Sequence, residues 1–116
     1  MRKNILLISG SRADFYLLSS LKKELDKNKK LNLTFLLTGG ASKINYIKSN
    51  KKENIKRIPL KIYNDKQITT PRAISEIVNK LSNYLNKNKF DLIILLGDRY
   101  EILGAAIAAH SFNIKI

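Results

Sequence analysis

Two short charged stretches in this 116-residue sequence carry side chains that could do chemistry. They are Ser11-Arg12-Ala13-Asp14 and Asp98-Arg99-Tyr100-Glu101, and each follows an apolar run that ends in a glycine. A carboxylate such as Asp98 can take up or release a proton, whereas an arginine beside a helix N-terminus can bind an anion. The two stretches therefore predict a site that holds an anionic group, such as a phosphate, and moves a proton near it.

Both stretches also have a simpler interpretation, in which they only begin helices. Ser11 with Asp14, and Asp98 with Glu101, have the spacing of a capping box, an N-cap oxygen followed three residues later by an acid. Each cap would stabilise its helix by about 1 kcal/mol without any chemistry. The residues alone leave both interpretations open at Asp98 and favour capping somewhat at Asp14.

Strand and helix patterns alternate along the chain and must position these stretches. A polar, lysine-rich segment over 41–55 predicts a loop with a short helix near 42–49. Thr70 and Pro71 have the types expected of an N-cap and a first helical residue, and Pro59 suits an edge strand. The predicted strands are 4–9, 31–38, 57–63, 91–96 and a run that begins at 113–116, and the predicted helices are 11–26, 70 onward and 100–111.

Strands separated by segments of helix length predict an α/β, Rossmann-like domain with a parallel sheet. The expected strand order is 3-2-1-4-5, in which the direction of winding reverses between strands 1 and 4. Ligands bind at the carboxyl ends of the strands at such a reversal. The topology thus predicts that Arg12 and Asp98 line one crevice.

The net charge of +13 raises the possibility of a nucleic-acid partner, but its distribution argues against base recognition. Only five of the 22 basic residues are arginines, and the lysines cluster with asparagines as in 27–30 and 50–52. Arginines and interleaved aromatic residues, which read or stack on bases, are scarce. No specific nucleic-acid partner is expected, although a small basic Rossmann-like module that binds nucleic acid or acidic partners is kept as an alternative function.

Several other classes of site find little support in the composition. The chain has no cysteine, and its single histidine, His110, has no acid or second histidine at metal-ligand spacing, so a structural role is favoured and no metal site is expected. No run approaches the roughly 18 apolar residues that span a bilayer. The apolar run at 5–8 is too short for a signal peptide, which predicts a cytoplasmic protein without a membrane partner.

Three segments carry a resemblance to a known family. SGSRADFYLLSSL, TGG and LLGDRYEILGAAIAAHSFNIKI resemble the hydrolysing UDP-N-acetylglucosamine 2-epimerases of bacterial sialic acid and related nonulosonate pathways. The resemblance implies a two-domain fold of the glycosyltransferase B type, with the substrate between the halves. Residues 1–116 would be the N-terminal half, with the C-terminal nucleotide-binding half absent, so we expect this chain to be inactive alone. Another enzyme of the glycosyltransferase B type is a further alternative.

The resemblance also implies a reaction and roles for particular residues. UDP is lost together with the C2 proton of the sugar, water then adds, and the 2-epimeric sugar is released from a UDP-sugar substrate, without a metal or cofactor and in an enzyme that is often a homodimer. Asp98 would be an acid/base residue and Arg12 would face the diphosphate. The implied substrate-binding set is completed by residues expected near the ligand: Ser11, Gly39, Arg99 and Glu101. The sugar, N-acetylglucosamine or a diacetamido relative such as diacetylbacillosamine, stays open, as does the effect of Leu17, where non-hydrolysing relatives carry lysine.

Overall fold

The computed structural model describes residues 1–44, 54–61 and 66–116. Strands and helices alternate within them, as the sequence pattern predicts. In chain order the elements are β1 (Lys3–Ser9), α1 (Arg12–Leu25), β2 (Leu31–Thr38), a 3-10 helix (Gly39–Lys43), β3 (Ile55–Ile58), α2 (Thr69–Lys87), β4 (Leu92–Leu96) and α3 (Tyr100–Ser111).

The four strands form one parallel sheet in the order β3-β2-β1-β4, which confirms the α/β fold and the predicted position of the winding reversal. The expected fifth strand over 113–116 is not formed. The turn that ends α3 continues through Asn113, at φ 56°, and the Ile114 N–H donates to the Ala109 carbonyl. Only a single parallel bridge between Lys115 and Leu92 follows, on the outer side of β4 where a fifth strand was expected.

Helices cover the sheet on both faces because consecutive strand residues are apolar and point to opposite sides. Leu6 and Ile8 pack with residues of α2 and α3 on one face, whereas Ile5 and Leu7 pack with α1 on the other. All four of these β1 side chains are buried. A doubly covered sheet explains why the strands are continuous apolar runs rather than alternating ones.

Helices α2 and α3 approach each other closely at Gly104. A methyl group added to Gly104 would lie 2.2 Å from Ile77 Cγ2. The small buried residues Ala105, Ala108 and Ala109 continue the inner side of α3. Alanine and glycine at these positions therefore set the spacing of the two helices, while Leu103 and Ile107 on the other side of α3 stay exposed.

The third strand begins two residues earlier than predicted and is shorter. It pairs Ile55–Ile58 with residues 35–38 of β2, and the Thr38 hydroxyl donates to the Ile58 carbonyl at 2.8 Å. Pro59, which has no N–H to donate, follows the last strand residue. The predicted extension of this strand to Lys61 is wrong, and its predicted end at 62–63 lies outside the described residues.

The start of α2 was also predicted too late. Ile68, not Thr70, is the N-cap, and it makes no side-chain cap hydrogen bond. The Thr69 hydroxyl instead donates to the Lys66 carbonyl at 2.8 Å. Pro71 is then the third helical residue, a position whose N–H has no intrahelical partner in any case. The helix expected near 42–49 falls largely outside the described residues, and the described part of it is the end of the 3-10 helix.

Side-chain hydrogen bonds tie the amino edge of the sheet together. The Asn4 backbone N–H donates to Asp91 Oδ2 at 2.8 Å, and Asn32 Nδ2 donates to Asn4 Oδ1 at 3.1 Å. Arg2 donates in turn to the Asn32 side chain. The ends of β1, β2 and β4 are thus joined by polar side chains at this edge. Across the described ranges, no helix has both the length and the apolar character needed to cross a bilayer.

Candidate functional site at the carboxyl edge

The two charged turns lie side by side at the carboxyl edge of the sheet. β1 pairs with β4 so that Ser9 stands opposite Leu96, and the turns follow these two residues directly. A methyl group on Gly97, at φ 123°, would lie 2.5 Å from Asp14 Oδ2. The side chain of Asp14 on α1 therefore reaches the turn that follows β4, as expected for neighbouring turns at the reversal point.

Ser11 is a helix cap, as the spacing in the first turn predicts. It has an extended backbone, at φ −138° and ψ 161°, and its Oγ accepts a hydrogen bond from the Asp14 N–H at 3.2 Å. The Ser9 hydroxyl donates to the Ser11 carbonyl at 2.9 Å and fixes the same turn from the strand side. Arg12 is the first residue of α1 and is exposed, so its guanidinium is available to an anion at the helix N-terminus.

Asp98, in contrast, does not cap α3, and the capping interpretation of this residue is wrong. The N-cap is Arg99, with φ −78° and ψ 159°, and it makes no side-chain cap hydrogen bond. The helix begins one residue later than a capping box with Asp98 would require. The Asp98 residue is exposed at the carboxyl edge, where its carboxylate can meet a ligand.

Glu101, the second residue of α3, is fully buried. A methyl group on Gly39, at φ 55°, would lie 2.7 Å from Glu101 Oε1, and one on Gly10 would lie 3.3 Å from Glu101 Cβ. The carboxylate therefore fills the space between the turns that follow β1 and β2. Gly39, predicted to lie near the ligand, is buried beneath this carboxylate.

Arg99 joins Glu101 to the exposed part of the edge. Its Nε lies 3.4 Å from both Glu101 carboxylate oxygens, and its guanidinium carbon lies 5.2 Å from the centre of the Tyr100 ring. The Arg99 side chain is 34% exposed. Within the described part of the chain, the buried Glu101 Oε2 accepts no hydrogen bond.

The structure thus brings together five of the six predicted site residues in two adjacent turns and places Gly39 directly beneath them. Sequence reasoning missed the contributions of Gly10 and Gly97, which allow Glu101 and Asp14 to approach the backbone. The available signal was a glycine directly after each of three strands, since such glycines mark close approaches. His110 lies at the far end of α3 and is exposed. No group of three residues able to hold a metal ion occurs among the described residues.

Comparisons with known proteins extend this description. The family model for UDP-N-acetylglucosamine 2-epimerase matches residues 23–116, which include Gly39 and the turn after β4. The GDP/UDP-N,N'-diacetylbacillosamine 2-epimerase (hydrolyzing) of Campylobacter jejuni is 32% identical over 110 residues, which cover 90% of this chain and 29% of that protein.

Two solved structures share the fold. A crystal structure of UDP-N-acetylglucosamine 2-epimerase superposes with a TM-score of 0.78 at 17% identity, over 98% of this chain and 32% of that one. A co-structure of S. aureus MnaA with UDP gives a TM-score of 0.73 at 20% identity, over 97% of this chain and 27% of that one. The chain spans about three tenths of the length of the relatives it matches. The resemblance noted in the sequence is confirmed, and the chain belongs to the UDP-N-acetylglucosamine 2-epimerase family.

Proposed function

We propose that this chain is the N-terminal part of a hydrolysing UDP-sugar 2-epimerase, which converts UDP-N-acetylglucosamine or a diacetamido relative into the 2-epimeric sugar and UDP. The observation that carries the proposal is the pair of charged turns, with Arg12 and Asp98 exposed, at the winding reversal of a chain of this family. The name of the Campylobacter jejuni relative supports a hydrolysing reaction and includes a diacetamido sugar. The UDP bound in the S. aureus structure supports a nucleotide diphosphate ligand.

Arg12 and the N-terminus of α1 would bind the diphosphate in this proposal. The exposed guanidinium and the N–H groups of the first helical turn that Ser11 does not cap both attract phosphate oxygens. As the bond between C1 of the sugar and the diphosphate oxygen breaks, UDP leaves with the electron pair of that bond. Positive charge next to the departing oxygens stabilises the transition state.

Asp98 would act on the proton at C2. Its carboxylate takes this proton, and the electron pair of the C2–H bond forms a double bond between C1 and C2 as UDP departs. Addition of water then places a hydroxyl group at C1 and a proton on the opposite face of C2, which yields the epimer. The exposure of Asp98 and the lack of a capping role support this assignment.

The polypeptide that corresponds to the remaining seven tenths of the relatives would supply the second wall of the site. The proposal therefore includes a two-domain protein and no turnover by the 116-residue chain alone. It also includes activity as a homodimer in the cytoplasm, as the resemblance to the family implies. An enclosing second domain would also exclude water from Asp98 and strengthen its electrostatic contacts.

Binding by the 116-residue chain tests the diphosphate site directly. We expect UDP to shift the backbone amide resonances of residues 10–14 and 97–101 in a ¹H–¹⁵N NMR titration. Arg12→Ala should weaken UDP binding about tenfold, because a charge-assisted contact is lost. The matched control is Arg2→Ala, which removes an exposed arginine from the amino edge and should leave the affinity unchanged. Shifts confined to the amino edge would contradict the proposal.

Turnover tests the role of Asp98. The full-length Campylobacter jejuni relative carrying asparagine at the position that aligns with Asp98 should release UDP and free sugar at least a hundredfold more slowly, since general acid–base catalysis contributes about 10²–10⁴. Its circular dichroism should be unchanged. Near-normal release would remove Asp98 from the mechanism.

Tight binding of a DNA oligonucleotide by the 116-residue chain, with a steep dependence on salt, would favour the nucleic-acid alternative instead.

A further inference from the structure

The buried carboxylate of Glu101 has a geometry that stability alone does not explain. It is 0% exposed, and Gly10 and Gly39 form the walls around it. Removing a carboxylate from water is strongly unfavourable unless the charge is well paired. Here Arg99 Nε stands at 3.4 Å, a long distance for a charge-assisted hydrogen bond, and Oε2 accepts no hydrogen bond among the described residues.

Arg99 lies between the buried Glu101 carboxylate and the crevice at the carboxyl edge. It directly follows Asp98 in the chain, and its side chain is one third exposed while its Nε is directed at the buried carboxylate. The ring of Tyr100 lies within cation–π distance of the same guanidinium. One side of Arg99 is thus held from within the protein, and the part that remains exposed lies at the edge that carries Asp98.

We propose that Glu101 is a positioning residue, which fixes the Arg99 guanidinium at the carboxyl edge so that it meets the diphosphate of the ligand, and that Glu101 itself does not touch the ligand. The proposal deepens the proposed function and rests on it for the identity of the ligand. The three turns after β1, β2 and β4 meet around this carboxylate, so Glu101 also sets the position of Arg99 relative to the turn that carries Arg12.

The sign of one measurement separates positioning from simple electrostatics. A negative charge near an anion site repels the anion, so removal of the Glu101 charge should strengthen diphosphate binding if charge alone matters. If Glu101 orients Arg99, the same removal should weaken binding, because the guanidinium is no longer held in place. The two accounts therefore predict opposite changes in affinity.

The variant that tests this is Glu101→Gln in the 116-residue chain, titrated with inorganic pyrophosphate at fixed ionic strength. We expect about five- to tenfold weaker binding. The matched control is Glu24→Gln, which removes the same charge from an exposed ion pair with Lys27 and should change the affinity by less than about twofold, since surface charges are screened. Unchanged or tighter binding by Glu101→Gln would overturn the proposal.

A double-mutant cycle then shows whether Glu101 acts through Arg99. Arg99→Ala should weaken pyrophosphate binding to a similar extent, and adding Glu101→Gln to Arg99→Ala should weaken it no further. Additive losses would mean that Glu101 acts by another route and would overturn the proposal. Arg99→Ala keeps Glu101 in place and tests on its own whether Arg99 contacts pyrophosphate, so unchanged binding by Arg99→Ala would overturn the proposal even if Glu101→Gln fails to fold.

The ¹H–¹⁵N resonance of the Arg99 Nε–H gives a readout that needs no ligand. It should exchange slowly with solvent in the wild-type chain and at least several times faster in Glu101→Gln, while the thermal midpoint reports on folding separately. Fast exchange in the wild-type chain would overturn the positioning role. Protected Arg99 combined with no pyrophosphate or UDP binding by the wild-type chain would instead contradict the proposed function.

Discussion

Asp14 on the first helix reaches across to Gly97 after the fourth strand, where its Oδ2 occupies space that any side chain at residue 97 would need. This contact joins the two charged turns of the carboxyl edge, which are more than 80 residues apart in the chain. The relative position of Arg12 and Asp98 therefore depends on Gly97, which has no side chain that could bind or react with a ligand.

Gly97→Ala should destabilise the chain for two separable reasons. A φ of 123° is unfavourable for alanine by about 1–3 kcal/mol, and the new methyl group would collide with Asp14. Asp14→Ala should relieve the collision but not the backbone strain, so the double variant should be more stable than the sum of the single effects predicts. Urea unfolding of the four proteins measures this coupling, and strictly additive losses would show that the contact does not exist in solution.

Ser11→Ala and Asp98→Ala should differ in their effect on stability. Ser11 accepts the Asp14 N–H, and its loss should lower the free energy of unfolding by about 1 kcal/mol. Asp98 is exposed and caps nothing, so its replacement should change stability by less than about 0.5 kcal/mol. Chemical denaturation of both variants checks the pair. A loss at Asp98 equal to that at Ser11 would restore the capping interpretation.

Tyr84 should make the chain sensitive to alkali. Burial raises the pKa of the Tyr84 phenol above its ordinary value of 10.0, because the charged phenolate is disfavoured next to Phe90 and the apolar core. A raised folded-state pKa stabilises the protein below pH 10, and this contribution is lost as the pH rises from about 10 through the folded-state value. Relative to wild type, Tyr84→Phe should therefore gain stability above pH 10.

Two measurements check this expectation. The difference in phenolate absorbance between wild type and Tyr84→Phe should titrate above pH 10 in the folded chain, and urea midpoints at pH 8 and pH 10.5 should diverge. An equal difference between the two urea midpoints at both pH values would contradict a raised pKa of the partly buried Tyr84 phenol.

The sheet and most helix limits could be predicted because apolar periodicity records which faces are buried. The predicted and observed limits of α3 coincide, since Gly97 ends the preceding strand and the alanine-rich run continues unbroken to Ser111. The observed limits of β3 and α2 differ from the predicted ones for the same reason: the local residue types at Pro59, Thr70 and Pro71 do not decide where these elements begin and end. The pairing of β3 with β2 and the carbonyl of Lys66 decide those limits, and neither is visible in a local window.

The position of the candidate site could be predicted from the sequence, but the separate roles of its residues could not. Topology alone brings Arg12 and Asp98 to one edge, because the carboxyl ends of adjacent parallel strands meet there. The same sequence spacing serves as a cap at Ser11 and not at Asp98, because α3 starts one residue later. The burial of Glu101 depends on the turns after two other strands, so no pattern within 98–101 could indicate it.

At the amino edge, Asn4, Asn32 and Asp91 link three strands through hydrogen bonds that lie at the end of the sheet remote from the candidate site. Substitution of Asn4 or Asn32 should lower the melting temperature and hardly change the ligand affinity. Substitution of Arg12 or Asp98 should lower the ligand affinity and hardly change the melting temperature. A protein engineer could therefore alter the specificity of one end of this sheet while leaving the anchoring end untouched.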